Sequence, residues 1–271
     1  MSALPARIEV DHVTLQLGAR VVLERVALTA DAGDIVAIAG PNGAGKSSLL
    51  AAIAGLRSVT NGDIRIDGTA LSRLTPKQIA QRLAYVPQDR TVHWPLRVET
   101  VVALGRLPHG AASADRLSRQ DDAHVTEAMT LTDTTSLSGR LVSELSGGER
   151  ARVLIARALA QNADIILADE PTAGLDPAHS LALFETFRHV AAQGRTVLIA
   201  LHDLSSALRF CPRIVLLNNG SVAASGKTRD VLTEAEIGRV FGVSTRIGSI
   251  AGLPSVVHID ALTSFGQPTS G

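Results

Sequence analysis

A single cysteine, Cys211, stands among 271 residues, so no disulfide can close within the chain. That fits a reducing compartment. Cys211 precedes Pro212 and an apolar run, and reads as a small buried apolar residue. Neither sign of charge is in excess: 26 Lys+Arg balance 26 Asp+Glu, giving a formal net charge of zero. A nucleic-acid binder would show a basic surplus, so that class is disfavoured. No apolar run approaches the roughly 20 residues of a membrane helix. The opening MSALPARIEV lacks the apolar core of a secretory signal. Any work at a membrane therefore requires partners that span it. What is present, 45% hydrophobic and 19% charged residues, is the balance of a folded globular protein.

Ile8–Leu17 and Val21–Thr29 predict an N-terminal hairpin around Gly18-Ala19-Arg20. Apolar runs predict strands at Ile35–Ala39, Gly62–Gly68, Ala84–Val86, Ile165–Leu167, Thr196–Leu201 and Ile214–Leu217. Helical patterns fall at Ser47–Leu56 and Ser180–Gln193, and a polar-punctuated helical stretch runs from Asp89 to about Ala160. Alternating strands and helices argue for a mostly parallel sheet covered by helices. The fold class expected is α/β, with a helical subdomain inserted at 89–160 into a core made of 1–88 and 161–245. No clear pattern follows Thr245; residues 246–271 are expected to be an extension ending in a loose Gly266–Gly271 tail.

Gly40-Pro41-Asn42-Gly43-Ala44-Gly45-Lys46-Ser47 matches the phosphate-loop pattern G-x-x-x-x-G-K-[ST], between a predicted strand and a predicted helix. The glycines let successive amides turn toward phosphate oxygens, and the helix start adds a partial positive charge. In such a loop Lys46 reaches the β- and γ-phosphates and the Ser47 hydroxyl ligates Mg²⁺. Ile165-Ile166-Leu167-Ala168 then leads to two carboxylates, Asp169 and Glu170. Ligands bind at the C-terminal edge of such sheets. Asp169 is expected to hold Mg²⁺ and Glu170 to accept a proton from an attacking water. A third segment, Leu145-Ser146-Gly147-Gly148-Glu149, opens a helical stretch, with Ser146 as its N-cap and a second anion-binding helix start.

With that segment the chain resembles the ABC ATPase family, whose signature is LSGGQ or LSGGE, over roughly residues 8–242. The resemblance implies a P-loop NTPase (RecA-like) core with an N-terminal antiparallel β subdomain, and ATP hydrolysis coupled to transport. It extends the nucleotide contacts to Ser48 and makes Gln88 the Q-loop glutamine that senses the γ-phosphate through metal or water. His202 matches the switch histidine, and Ala173-Gly174-Leu175-Asp176 the loop that crosses to a partner subunit. It also implies a homodimer in which each ATP lies between the phosphate loop of one copy and Ser146-Gly147-Gly148 of the other. Many members stack an aromatic ring on adenine near the hairpin turn; here Leu15-Gln16-Leu17-Gly18 has none.

Val101-Val102-Ala103-Leu104-Gly105-Arg106-Leu107-Pro108-His109 is similar to a segment of subunits serving importers of ferric siderophores, haem and cobalamin. By that likeness the expected partners are two polytopic membrane permease subunits and a periplasmic binding protein. The expected location is the cytoplasmic face of a bacterial plasma membrane, and Trp94 is a candidate membrane-subunit contact. The alternative is a soluble, non-transport ABC ATPase acting as an assembly scaffold.

Overall fold

The computed structural model describes residues 6–89, 95–110 and 117–261. Ile8–Leu17 (β1) and Arg20–Ala30 (β2) form the expected hairpin, which turns at Gly18 with φ 61°. Ile8, Val10, Val13 and Leu15 of β1 are buried, and the alternation slips at a bulge around His12. Ile35–Ala39 (β3) is buried along its whole length and ends at the phosphate loop, which feeds α1 (Lys46–Ile53). The helix stops earlier than its apolar pattern suggested, because Gly55 adopts φ 73° and turns the chain. Asn61–Ile66 (β4) and Thr69–Ala70 (β5) return beside β1 and complete an antiparallel sheet of order β2-β1-β4-β5.

Thr75 opens α2 (Pro76–Arg82), a helix absent from the expected elements. Its hydroxyl accepts from the Gln78 amide at 3.2 Å while its own amide donates to Gln78 Oε1 at 2.9 Å. The chain passes directly into Leu83–Val86 (β6). The polar-punctuated region then holds α3 (Val98–Ala103), a 3₁₀ stretch at Leu104–His109, α4 (Arg119–Leu131) and α5 (Gly147–Ala160). Val98, Val102, Val125, Met129, Val153 and Ile155 join these helices in one apolar cluster. Trp94 lies outside the described residues.

Ile165–Asp169 (β7), α6 (Pro177–Ala192), Thr196–Ala200 (β8), α7 (Leu204–Phe210) and Arg213–Asn218 (β9) then alternate. Ser221–Lys227 (β10) folds back antiparallel on β9. The sheet order is β10-β9-β3-β8-β7-β6, with the five strands from β9 to β6 parallel. Both faces are covered, which is why β3, β7 and β8 read as unbroken apolar runs. Ile35, Ala37 and Ala39 pack toward the cluster of α5, α6 and α7; Val36 and Ile38 pack toward α1 and the β1-β2-β4 sheet. Each buried Ile or Val among them contributes roughly 1.5–3 kcal/mol.

The short α8 (Thr228–Val231) and α9 (Glu234–Phe241) follow β10. Beyond Thr245 the structure corrects the sequence expectation. Val243–Ile250 (β11) and Leu253–Ala261 (β12) form an antiparallel hairpin, and the expected boundary at 245/246 falls inside β11. Its strands are mostly half-buried or exposed, so no strong alternation marks them. They are fastened by local bonds: Ser205 Oγ accepts from the Val256 amide at 3.0 Å, and Glu234 from the Ile247 amide at 3.1 Å. The Gly266–Gly271 segment lies outside the described residues.

Candidate functional site

The parallel register sets the site, because β3, β6, β7 and β8 all end at one edge of the sheet. At the end of β3, a Cβ on Gly40 would stand 2.2 Å from the Leu217 carbonyl oxygen of the neighbouring strand region. Gly45, with φ 104°, brings the start of α1 against β2, where a Cβ would meet Leu23 Cδ2 at 2.6 Å. No other residue type fits either position. The Gly220 amide donates to the Ala44 carbonyl at 3.2 Å and braces the loop from the turn between β9 and β10.

Lys46 is 5% exposed, and its Nζ donates to the carbonyls of Gly40 (2.9 Å) and Pro41 (3.1 Å). Burial lowers its pKa, while the nearby charges of Glu170 and Asp169 act in the opposite direction. Asp169, at the end of β7, is 1% exposed. Burial raises its pKa and Glu170 adds repulsion; the Ser47 and Tyr85 hydroxyls, which approach it as donors, and the Lys46 charge pull the other way. Burial also pushes the Tyr85 phenol up to about 12, so it remains a donor at neutral pH.

Glu170 follows with φ 48°, a left-handed conformation that a side-chain-bearing residue adopts only at a cost of about 1–3 kcal/mol. Its amide donates to the Ala200 carbonyl at 3.2 Å, which helps to hold the turn. The carboxylate is gripped from both sides. Gln88 Nε2 donates to Oε2 at 2.9 Å, and His202 Nε2 donates to Oε1. The ends of β6, β7 and β8 thus converge on one carboxylate.

A pocket of about 740 Å³ lies over this edge. Asn42, Gly43, Gly45, Lys46, Ser47 and Ser48 form its floor, and Gln88, Glu170 and His202 one wall. Gly40, Pro41 and Ala44 shape the loop from behind and do not line the pocket. Leu17, Arg20 and Val22 of the N-terminal hairpin also line it; sequence reasoning placed Arg20 in the hairpin turn and Val22 in the following strand but gave neither a role at the site. Only the fold of the β1-β2 hairpin over the loop brings them there.

Ser146, Gly147, Gly148 and Asp176 do not line this pocket. Ser146 caps α5 reciprocally with Glu149: its Oγ accepts from the Glu149 amide at 3.2 Å, and its amide donates to Glu149 Oε2 at 2.8 Å. Asp176 caps α6, accepting from the His179 amide at 2.8 Å and from His179 Nδ1 at 2.7 Å. Gly148 lies against the Gly174 carbonyl, so the two caps are neighbours.

The residues present fit a divalent cation of the hard, oxygen-binding kind. Oδ1 of buried Asp169 has no hydrogen-bond partner among the described residues, and the Ser47 hydroxyl approaches the same carboxylate.

A parallel sheet with a glycine loop at the end of one strand, and paired carboxylates at the end of a near neighbour, defines a P-loop NTPase fold. Sequence and structure comparisons narrow the class. A profile described as "ABC transporter" matches residues 23–173, more than half of the chain. The chain is 41% identical to the hemin import ATP-binding protein HmuV of Pseudomonas fluorescens (strain Pf0-1), over 87% of this chain and 92% of that one. It is 37% identical to the cobalamin import ATP-binding protein BtuD of Halobacterium salinarum (strain ATCC 29341 / DSM 671 / R1), over 97% of this chain and 66% of that one. Among solved structures it superposes on a metal-chelate type ABC transporter in an inward-facing conformation with a TM-score of 0.80 at 25% identity, covering 94% of this chain and 98% of that one. A dimeric ATP-binding cassette bound to ADP and Pi gives 0.71 at 29% identity, covering 82% and 99%. The chain belongs to the ABC transporter family as an ATP-binding subunit, and it is an ATPase.

Proposed function

We propose that this subunit powers import of a metal chelate, with haem, cobalamin and ferric siderophore as the candidate cargoes. The observation that carries the reading is the 41% identity to a hemin import ATP-binding protein over nearly the full length of both chains. No helix among the described residues is long and apolar enough to cross a membrane, which is compatible with a reading in which separate permease subunits carry the transport path. In this reading two copies work at the cytoplasmic face of a bacterial plasma membrane beneath two permeases, and a periplasmic binding protein delivers the cargo.

The phosphate loop binds the triphosphate through its amides and Lys46, with Ser48 adding a further donor. Ser47, Asp169 and Gln88 would hold Mg²⁺, which when bound supplies charge neutralisation on the β- and γ-phosphate oxygens. Glu170 accepts the proton of the attacking water, and Gln88 and His202 fix its orientation through one oxygen each. Ser146, Gly147 and Gly148 of the second copy complete the nucleotide site, with Asp176 beside them at the dimer seam. The similar cassette solved as a dimer supports this arrangement.

The test is uptake of labelled haem, ferric siderophore and cobalamin in a strain lacking the protein, complemented with wild type or Glu170→Gln. Loss of one cargo, restored by wild type alone, is the expected result. Normal entry of all three, with no parallel system to explain it, would overturn the importer reading.

A further inference from the structure

Gly105 to His109, the last part of the Val101–His109 segment that resembles chelate importers, does not line the nucleotide pocket, yet three of its side-chain hydrogen bonds fall on the C-terminal end of α5. Arg106 is 5% exposed. Its Nη1 donates to the carbonyls of Ala160 (2.8 Å) and Gln161 (3.0 Å), while Nε donates to Asp121 Oδ1 at 2.8 Å in the first turn of α4. The last carbonyls of a helix have no partner within it, and a cation there is favoured by the helix dipole. His109 Nε2 donates to the same Gln161 carbonyl at 2.8 Å. Gly105 makes the approach possible, because a Cβ would stand 2.3 Å from the Arg157 carbonyl oxygen.

Gln161 carries the connection onward. Its Nε2 donates to the Leu83 carbonyl at 2.7 Å, at the start of the strand that leads to Gln88. Gln81 Nε2 closes the circuit by donating to the Pro108 carbonyl at 2.9 Å. One buried guanidinium therefore joins α4, the 3₁₀ stretch and the end of α5 where the chain turns into β7. The far end of α5, 14 residues and about 21 Å away, carries Ser146, Gly147 and Gly148.

We propose that Arg106 is a positioning residue for ATP hydrolysis: it locks α4 and the 3₁₀ stretch after α3 to the C-terminal end of α5, so that Ser146–Gly148 at the other end moves with them as one body. This rests on the reading that Ser146–Gly148 completes the site of a second copy. Nucleotide binding by a single copy uses the pocket over the phosphate loop, which Arg106 does not line, and does not depend on the clamp. Dimer closure and turnover do. A lysine at 106 keeps the charge but lacks the fork that engages Asp121 through Nε and the two carbonyls through Nη1 at the same time.

The experiment compares full-length wild type, Arg106→Gln, Arg106→Lys and His109→Ala in four readouts: thermal midpoint, fluorescent ATP-analogue binding to the single copy, steady-state kcat and KM, and ATP-dependent dimerisation in the Glu170→Gln background. Arg106→Gln is expected to bind the analogue within about twofold of wild type while kcat and the dimerisation constant worsen about tenfold. Arg106→Lys should fall between, and His109→Ala should lose about twofold in kcat with an unchanged melting midpoint. The proposal is overturned if Arg106→Gln lowers only the melting midpoint with kcat per folded molecule unchanged, or if analogue binding falls as far as kcat. If Arg106→Gln does not fold, the other two variants decide: wild-type kcat and dimerisation in both would overturn it. Failure of Glu170→Gln alone to dimerise with ATP would instead remove the two-copy reading, whatever Arg106 does.

Discussion

Nε2 of His202 and Oε1 of Glu170 share a hydrogen bond that ties the end of β8 to the end of β7, with Gln88 holding the opposite oxygen from the end of β6. A carboxylate held at both oxygens keeps one orientation, and in the proposed role of Glu170 as proton acceptor its two neighbours would control that orientation.

Glu170→Gln is expected to retain ATP binding and to lose at least about 100-fold in hydrolysis, whereas His202→Ala should lose about tenfold at unchanged nucleotide affinity. Phosphate-release assays and nucleotide titration check both. Near wild-type turnover in Glu170→Gln would remove it from the role of base.

Tyr85→Phe deletes a donor to Asp169 while leaving the ring in place. Outer partners of a metal-binding carboxylate typically matter about 10-fold or more in metal affinity. The Mg²⁺ concentration for half-maximal ATPase activity should rise by about that factor, with kcat at saturating Mg²⁺ nearly preserved. An unchanged Mg²⁺ dependence would show that Tyr85 has no part in tuning the site.

Arg20 lines the same pocket as the Glu170 carboxylate. A guanidinium over a purine gains about 0.5–1 kcal/mol at an exposed site, so it can serve where the hairpin lacks an aromatic ring. Arg20→Ala should weaken ATP binding about three- to fivefold and leave inorganic tripolyphosphate binding unchanged. Equal losses for both ligands would place Arg20 on the phosphates instead.

The reciprocal cap at Ser146 makes stability depend on pH. The Ser146 amide, then its hydroxyl, and then Arg140 hold the Glu149 carboxyl below its ordinary range. A carboxyl depressed in the folded state adds stability that is complete above the unfolded value of about 4.3 and disappears as pH falls through the folded value. Denaturant titrations of wild type and Glu149→Gln should therefore converge as the pH is lowered from 6 toward about 3. Curves that stay parallel over that range would show that Glu149 contributes no such term.

Legibility in the sequence followed burial. Ile35–Ala39, Ile165–Asp169 and Thr196–Ala200 are covered on both faces, so their apolar runs announced the sheet and its functional edge. The hairpin of β11 and β12 lies on one side of α7 and α9 with little buried alternation, and its sequence carried no such mark. The Thr75-x-x-Gln78 cap of α2 was readable but short. At the sheet edge beneath and around the pocket, Lys46, Asp169, Glu170 and His202 were visible as motif positions. Tyr85 and Arg20 were not, because their places depend on the register of β6 against β7 and on the hairpin folding over the loop.

The bonds from Lys46 to the carbonyls of Gly40 and Pro41 give the phosphate loop a resting partner of its own. A buried ammonium left bare would cost several kcal/mol. In the proposed role of Lys46, nucleotide entry would be an exchange of ligands around one cation, carbonyl oxygens giving way to phosphate oxygens, and departure of product would be the same exchange reversed. The ammonium would then be partnered at every stage of the cycle, and the motor would reset without stranding a charge.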